Sequence, residues 1–212
     1  EITMSIMARA RAKDPALGYA SDFVSLLRPH LKTIADQRVK ILSNAGGVNP
    51  RACGEAVRAL VKAAGLDLKV AVIEGDDLLA RAGDFTQTRE MFSGEAFPPL
   101  AKLASINAYL GAFPIAAALE RGADIVITGR GVDSAVTLAA CIHAFGWGRD
   151  TLDLLAAGSL AGHILECGAQ ATGGNFTDWQ GVADTLWNVG YPIAEVSADG
   201  VITIGKPRPE AL

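Results

Sequence analysis

Asp124-Ile125-Val126-Ile127-Thr128-Gly129-Arg130-Gly131-Val132-Asp133-Ser134 reads as a strand, a glycine turn and the start of a helix. Ile125 to Ile127 is an unbroken β-branched run, the pattern of a strand covered on both faces, as in a parallel sheet. Gly129 and Gly131 permit a tight turn with close approach of another group. Asp133 or Ser134 is placed to cap the helix that Ala135 to Phe145 predicts. Such a junction turns backbone N–H groups and the positive end of a helix dipole towards a ligand. Arg130 adds a charge on a planar donor fork. The turn, with Thr128, Gly129, Arg130, Asp133 and Ser134, is therefore expected to wall a small-molecule site for an anionic group.

The same grammar occurs upstream. Val39 to Leu42 predicts a strand, followed by the turn Asn44-Ala45-Gly46-Gly47-Val48-Asn49. Asn49 is a good N-cap and Pro50 suits the first helical position. The helix after it is expected to bury Cys53, Val57, Leu60, Val61 and Ala64 and to stop at Gly65. Leu68 to Ile73 predicts the next strand, which delivers Glu74, Asp76 and Asp77 at its carboxyl end, and Pro114 to Arg121 predicts another helix. Helix–strand alternation over Val39 to Phe145 implies parallel strands with right-handed crossovers. The expected fold class is α/β: a mostly parallel, Rossmann-like sheet with flanking helices and a C-terminal β-hairpin. Ligands of such sheets sit beyond the carboxyl ends of the strands, so the loops Asn44–Asn49, Glu74–Asp77 and Thr128–Ser134 are expected to converge there.

Outside this region, Glu1 to Lys13 predicts a helix with Ile2, Ile6 and Ala10 on one face, Met7 beside them. Ser21 to Gln37 predicts a second helix with a stripe of Phe23, Leu27, Leu31 and Ile34, kinked or divided at Pro29. Arg81 to Ser105 is irregular yet carries Phe85, Phe92 and Phe97, as a lid or binding loop does. Thr151 to Cys167 predicts a helix in which Gly158 and Gly162 let another backbone approach. Tyr191–Ser197 and Val201–Ile204 form a hairpin through Asp199-Gly200. Residues 1–212 read as a single α/β domain. A helical pattern already running at Glu1, and the absence of a closing element at Arg208–Leu212, lead to the expectation of a longer parent chain.

Composition narrows the function. Half of the 212 residues are hydrophobic and the net charge is -4 with no basic stripe, which argues against a nucleic-acid surface. No apolar run is long enough to span a bilayer and no signal peptide opens the chain, so a cytoplasmic protein without a membrane partner is expected. Cys53, Cys141 and Cys167 are far apart and form no C-x-x-C pair, as reduced thiols do.

Each candidate site residue has a structural alternative. Asn44, Gly46, Gly47 and Asn49 can cradle a phosphate or carboxylate on backbone donors, or serve only as a βα turn; they match neither a G-x-G-x-x-G nor a Walker loop. Glu74, Asp76 and Asp77 can bind a divalent metal, move a proton or hold hydroxyls; alternatively Asp77 caps the next helix and the others are solvated. Glu74, next to the strand, is the first choice. Arg130 can grip a ligand anion or pair with one of these acids, and Asp133 and Ser134 read first as caps. His163, Glu166 and Cys167 share a helical face that reads as core packing rather than as a metal or catalytic Cys–His site. Thr172-Gly173-Gly174-Asn175 offers a hydroxyl, an amide and bare backbone, and is either a site wall or a loop turn.

Four segments carry a resemblance: Leu42–Ala52 (LSNAGGVNPRA), Asn107–Pro114 (NAYLGAFP), Ile127–Ala135 (ITGRGVDSA) and Glu166–Phe176 (ECGAQATGGNF). Together, and in this order, they resemble the acyclic terpene utilisation (AtuA) family over almost the whole chain. The resemblance implies a bacterial, cytosolic catabolic protein of citronellol- and geraniol-type terpenes, handling a branched acyl-CoA or its acid. It carries over no catalytic residues. It also implies a further strand and glycine-rich segment before Glu1 and a continuation after Lys206-Pro207.

The expected protein is thus a lyase- or hydratase-type enzyme acting on an anionic acyl-CoA or carboxylate by acid–base chemistry: hydration, isomerisation or C–C cleavage. Glu74 or Asp76 would move the proton, with or without a divalent metal. Arg130 would hold the anion, and the Phe85–Phe97 loop would cover an isoprenoid tail. A homo-oligomer is expected. Two alternatives stand beside it: a non-catalytic accessory subunit docked on an acyl-CoA carboxylase through the Gly158/Gly162 face, and a dinucleotide-binding domain.

Overall fold

The computed structural model describes residues 2–207. The expectations at Glu1 and at 208–212 lie outside them. The chain divides into two compact units, Glu1–Val132 and Asp133–Leu212.

The first unit is built on a parallel sheet of β1 (Ile41–Gly47), β2 (Val70–Ile73) and β3 (Ile125–Gly129) in the order β1-β3-β2. The Ile-Val-Ile run lands where its composition requires, in the central strand, which is buried at every position. Before the sheet come α1 (Ile2–Lys13), α2 (Ser21–Leu27), a 3-10 turn at Arg28–His30 and α3 (Leu31–Gln37), so the long predicted helix is divided at Pro29. Pro29 has no N–H to continue an α-helical ladder. α4 (Pro50–Ala63) comes after β1 and packs on it and on β2. Leu27, Leu31 and Ile34 meet Cys53, Val57 and Val61 of α4 and Ile125 and Ile127 of β3 in one core. Val126 points to the opposite face and is equally buried; α5 (Ala112–Glu120) packs on β3 and β2.

Three expectations for this unit are corrected. The first strand is not Val39–Leu42. Arg38, at φ 55°, ends α3 in the left-handed region, and the strand starts only where Ile41 pairs with Ile125. It then continues to Gly47, so Asn44, Gly46 and Gly47 belong to a strand with a register shift between Ser43 and Gly47. On α1, Ile6 is 62% exposed while Ala8 is buried. Met7 and Arg11, one turn apart, face the end of β1, and periodicity in a short helix could not say which stripe would find a partner. In α4, Ala64 is exposed and lies past the last helical residue.

The second unit holds α6 (Ala135–Phe145), α7 (Leu152–Glu166) and an antiparallel hairpin of β4 (Ile193–Val196) and β5 (Ile202–Gly205), with Val196 opposite Ile202. α6 and α7 are in close contact. A Cβ on Gly162 would lie 2.6 Å from the Ser134 carbonyl oxygen, and one on Gly158 2.8 Å from Leu138 Cδ1. The small-residue face predicted for close approach is therefore used inside the unit. Between α7 and the hairpin run two 3-10 segments, Gly168–Thr172 and Trp179–Asn188.

Candidate functional site

Parallel pairing brings the carboxyl ends of the three strands to one edge. Gly47 lies opposite Gly129, and Ile73 opposite Thr128. Asn44–Asn49, Glu74–Asp77 and Arg130 therefore share a rim, as topology predicts. The groups along that rim are, however, engaged mainly with the protein itself.

The glycine turn is covered. A Cβ on Gly47 would sit 2.1 Å from Met7 Sδ, and one on Gly46 would sit 2.5 Å from the Thr128 carbonyl oxygen. These glycines admit neighbouring chain rather than a phosphate, and a dinucleotide pyrophosphate would meet Met7 there. Asn49 caps α4 by accepting from Ala52 N at 3.4 Å, while its amide donates to Pro15 O at 2.9 Å and Leu17 O at 2.8 Å. It ties the preceding loop to the helix start. Asn44 alone of this group is exposed. Thr128 is buried and donates to the Gly129 carbonyl oxygen, so Thr128 and Gly129 line the sheet interior, not a cavity.

The three acids after β2 point to three different partners. Glu74 is held in a fork by Arg51, with Oε2 2.8 Å from Nη2 and Oε1 3.4 Å from Nε. The hydrogen bond from Arg51 and the charge of Glu74 together raise the Arg51 pKa. Asp77 accepts from Leu79 N at 2.9 Å, a local cap, and pairs with Arg11 at 3.0 Å. Asp76 is only 2% exposed. Its Oδ2 accepts from Asn107 Nδ2 and from Arg130 N, both at 2.8 Å, and its carbonyl oxygen accepts from Ala108 N at 2.8 Å. A shared cation site is not formed by these acids, and among the described residues no group of three His, Cys, Asp or Glu side chains is placed to hold a metal ion. Asp76, expected as a proton-moving group, is sealed from water and fixed by two N–H donors, the arrangement of a clamp.

The clamp holds the segment Asn107 to Leu110. Leu110 N donates to the Arg130 carbonyl oxygen at 3.1 Å, and Val132 N to the Leu110 carbonyl oxygen at 2.9 Å. The result is a cleft of about 280 Å³ lined by Met4, Ser5, Ser105, Asn107, Tyr109 and Arg130. The Arg130 guanidinium carbon stands 4.4 Å from the centroid of the Tyr109 ring, a cation–π arrangement. Gly129 explains the fit: a Cβ there would fall 2.1 Å from Asp76 Oδ1. A second cleft, lined by Pro15, Tyr19, Asn49, Arg51 and Glu55 among others, opens separately. Glu74 lines neither. The shared rim exists, but neither of these clefts unites Asn44, Glu74 and Arg130.

Ser5, Ser105, Asn107 and Tyr109 line this cleft and are candidates that sequence reasoning does not single out. Polar residues in an irregular stretch give no periodic signal; the only hint is that Asn107 and Tyr109 open one of the four resemblance segments. Within the Arg81–Ser105 loop, Phe85 and Phe97 pack on each other at 6.4 Å between centroids, whereas Met91 and Phe92 are exposed. A cover for a hydrophobic tail would have to come from the latter pair.

Of the candidates in the second unit, Ser134 occupies the N-cap position of α6 without a side-chain cap hydrogen bond, and Asp133 is exposed. Thr172 and Gly173 line a cavity of about 270 Å³; Asn175 is exposed and does not. His163 and Glu166 are exposed, which overturns core packing as the reading of that face. Glu166 draws both neighbours, accepting from Cys167 Sγ at 3.2 Å and lying 3.6 Å from His163 Nδ1. That hydrogen bond pushes the Cys167 thiol above its ordinary pKa, and burial pushes Cys53 up to about 11 and raises Cys141. None of the three is set up as a thiolate nucleophile. The Gly158/Gly162 face suggested for docking is filled by α6 and its flanks.

Among the described residues no helix is long and apolar enough to cross a membrane. A family model described as "Acyclic terpene utilisation family protein AtuA" matches residues 1–211. No curated protein and no solved structure matches the chain.

Proposed function

As the chain belongs to the acyclic terpene utilisation (AtuA) family, we propose that it is an enzyme of acyclic terpene breakdown that binds the anionic group of a branched acyl substrate in the Arg130 cleft. The observation that carries this reading is the construction of the cleft. A buried carboxylate, Asp76, fixes the backbone of Arg130 and the amide of Asn107 at once, and the guanidinium lies along Tyr109 beside two serine hydroxyls. Arg130 offers the charge and the planar fork that a carboxylate or a coenzyme A phosphate accepts. Ser5, Ser105 and Asn107 supply neutral hydrogen-bonding groups, and Met4 and Tyr109 the apolar contact.

The chemical step is acid–base: hydration, isomerisation or C–C cleavage of a cytoplasmic acyl-CoA or its free acid. Glu74 lies outside this cleft, half-exposed on the same rim and held by Arg51; in this reading a substrate anchored at Arg130 extends along the rim to Glu74, the proton-moving group, and Asp76 positions rather than reacts. The test uses full chain and a panel of branched acyl-CoA esters. Arg130→Gln is expected to weaken binding about tenfold or more, equivalent to about 1.4 kcal/mol, and Glu74→Gln to abolish turnover while the circular dichroism spectrum is kept. Unchanged binding by the Arg130 variant sinks the cleft, and undiminished turnover removes Glu74.

A further inference from the structure

We propose that the second unit carries a ligand site of its own, for an aliphatic carboxylate of medium chain length, with the head group on Lys206 and the chain along the apolar wall formed by Phe176 to Tyr191. This goes beyond the Arg130 reading and does not depend on it. Lys206 Nζ donates to the Thr172 carbonyl oxygen at 3.2 Å and to the Val189 carbonyl oxygen at 3.1 Å. Two neutral acceptors from different segments orient the ammonium without cancelling its charge, and its third N–H is left to point elsewhere.

Two cavities meet at this lysine. One, of about 270 Å³, is lined by Thr172, Phe176, Val182, Leu186, Val189 and Lys206. The other, of about 750 Å³, is lined by Trp187, Tyr191 and Pro207 and shares Leu186, Val189 and Lys206. The larger lies within the range of small-molecule sites, about 300 to 1,000 Å³, and the smaller lies just below it. The wall itself is short of packing. The 3-10 segment Trp179–Asn188 contains no buried residue. Phe176 is 50% exposed, Tyr191 69% and Trp187 85%. Large apolar side chains left open to water around two cavities that share Leu186, Val189 and Lys206 mark a binding surface.

The chemistry of the wall selects the ligand. A phosphate asks for several converging donors, and here one ammonium shares the cavity with one amide, Asn188, and two hydroxyls, Thr172 and Thr185, that already donate to the Gly190 and Val182 carbonyl oxygens. A neutral hydrocarbon would leave the ammonium unused. A carboxylate on a hydrocarbon chain uses both, with its head at the exposed Lys206 and its tail over Leu186, Val189 and Trp187.

Calorimetric titration of the full chain with decanoate tests the site, with decanol and acetate as controls. Decanoate is expected to bind, and neither control to do so measurably. Lys206→Gln is expected to lower the affinity at least tenfold, Lys206→Arg to keep it within a few-fold, and Arg130→Gln to leave it unchanged. Intrinsic tryptophan fluorescence should change on binding in the wild type, and the change should shrink in Trp187→Phe. No decanoate binding, equal binding by Lys206→Gln, or loss in Arg130→Gln with retention in Lys206→Gln would each overturn the site. So would sedimentation showing a self-associated species that decanoate does not dissociate, since a second copy would then cover the wall. Failure of the acyl-CoA panel with decanoate binding intact would count against the Arg130 cleft alone.

Discussion

The rim of the first unit and the wall of the second treat their polar and apolar groups in opposite ways. At the rim, nearly every chemically expressive residue is consumed by the fold: Asp76 by Asn107 and Arg130, Asn49 by Ala52, Pro15 and Leu17, Glu74 by Arg51, Asp77 by Arg11. In the 3-10 wall, aromatic side chains face water and one ammonium is braced by carbonyls alone. The lesson is that richness in motif-like residues does not mark where a ligand can enter. Three parallel strand ends must be stitched together before any of them can present a group, and stitching takes acids, amides and glycines. A segment that does no stitching keeps its groups available.

The largest effect expected from this contrast is at Asp76. Asp76→Ala leaves Asn107 Nδ2 and Arg130 N without their acceptor in a buried place, and a stranded buried donor costs about 1 to 3 kcal/mol. Loss of about 3 kcal/mol of stability is expected by urea denaturation. A loss under about 1 kcal/mol would mean the rim is not stitched by this carboxylate, and Asp76 would return as a group free to react.

Gly162 is the next test, and it asks whether the second unit has a tight region to set against its open one. Gly162→Ala gains about 1 kcal/mol in helix propensity, yet the new Cβ would lie 2.6 Å from the Ser134 carbonyl oxygen, a backbone atom that cannot swing aside. Overpacking of this kind costs about 1 to 3 kcal/mol, so a net loss of about 1.5 kcal/mol is expected in the same measurement. A gain in stability would show that α6 and α7 are looser than their contact suggests.

These two positions also show how much the sequence reveals by itself. The central strand is readable because Ile125 to Ile127 can satisfy three consecutive apolar residues only when covered on both sides. The α4 start is readable because Asn49-Pro50 is a local code, and the Gly158/Gly162 spacing foretells a close approach. The role of Asp76 is not readable, since nothing local distinguishes it from Glu74 and Asp77. Its burial depends on Gly129 and Asn107, far away in the chain, and only the sheet brings them together. The same holds for Gly46 and Gly47, whose need for small size comes from Thr128 and Met7. Lys206 stands out in the sequence only as part of a resemblance, because its meaning lies in two carbonyls contributed by other segments.

A smaller, pH-dependent effect is expected at the other end of the sheet. Burial alone would raise the pKa of Asp124, but hydrogen bonds from Lys40 Nζ at 2.7 Å and Lys69 N at 2.9 Å, with the charges of both lysines, hold it below its ordinary value. A carboxyl whose folded pKa is depressed contributes stability that is whole above the ordinary aspartate range and is lost as pH falls through the folded value. The Lys40 partner is 39% exposed, so solvent screening keeps the contribution to about 1 kcal/mol or less. Stability of wild type and Asp124→Asn is expected to differ at pH 7 and to converge as pH falls through the folded value, below the ordinary aspartate range. A difference that stays constant with pH would assign the effect to packing.

The smallest effect separates the two regions most cleanly. Trp187 is 85% exposed, and an exposed side chain outside special features contributes within about 0.5 kcal/mol of stability. Trp147, in the same unit, is 5% exposed, packs on Phe145 at 5.4 Å and donates to the Ala198 carbonyl oxygen at 3.0 Å; truncating such a residue costs about 3 to 5 kcal/mol. Trp187→Ala is therefore expected to leave the urea midpoint almost unmoved. Because folding gives this indole so little reason to be there, decanoate titration of the same variant is the sharper reading. Weakened binding without loss of stability would place Trp187 in the ligand wall, whereas a destabilised variant would mean the indole is covered in solution and the wall is not open.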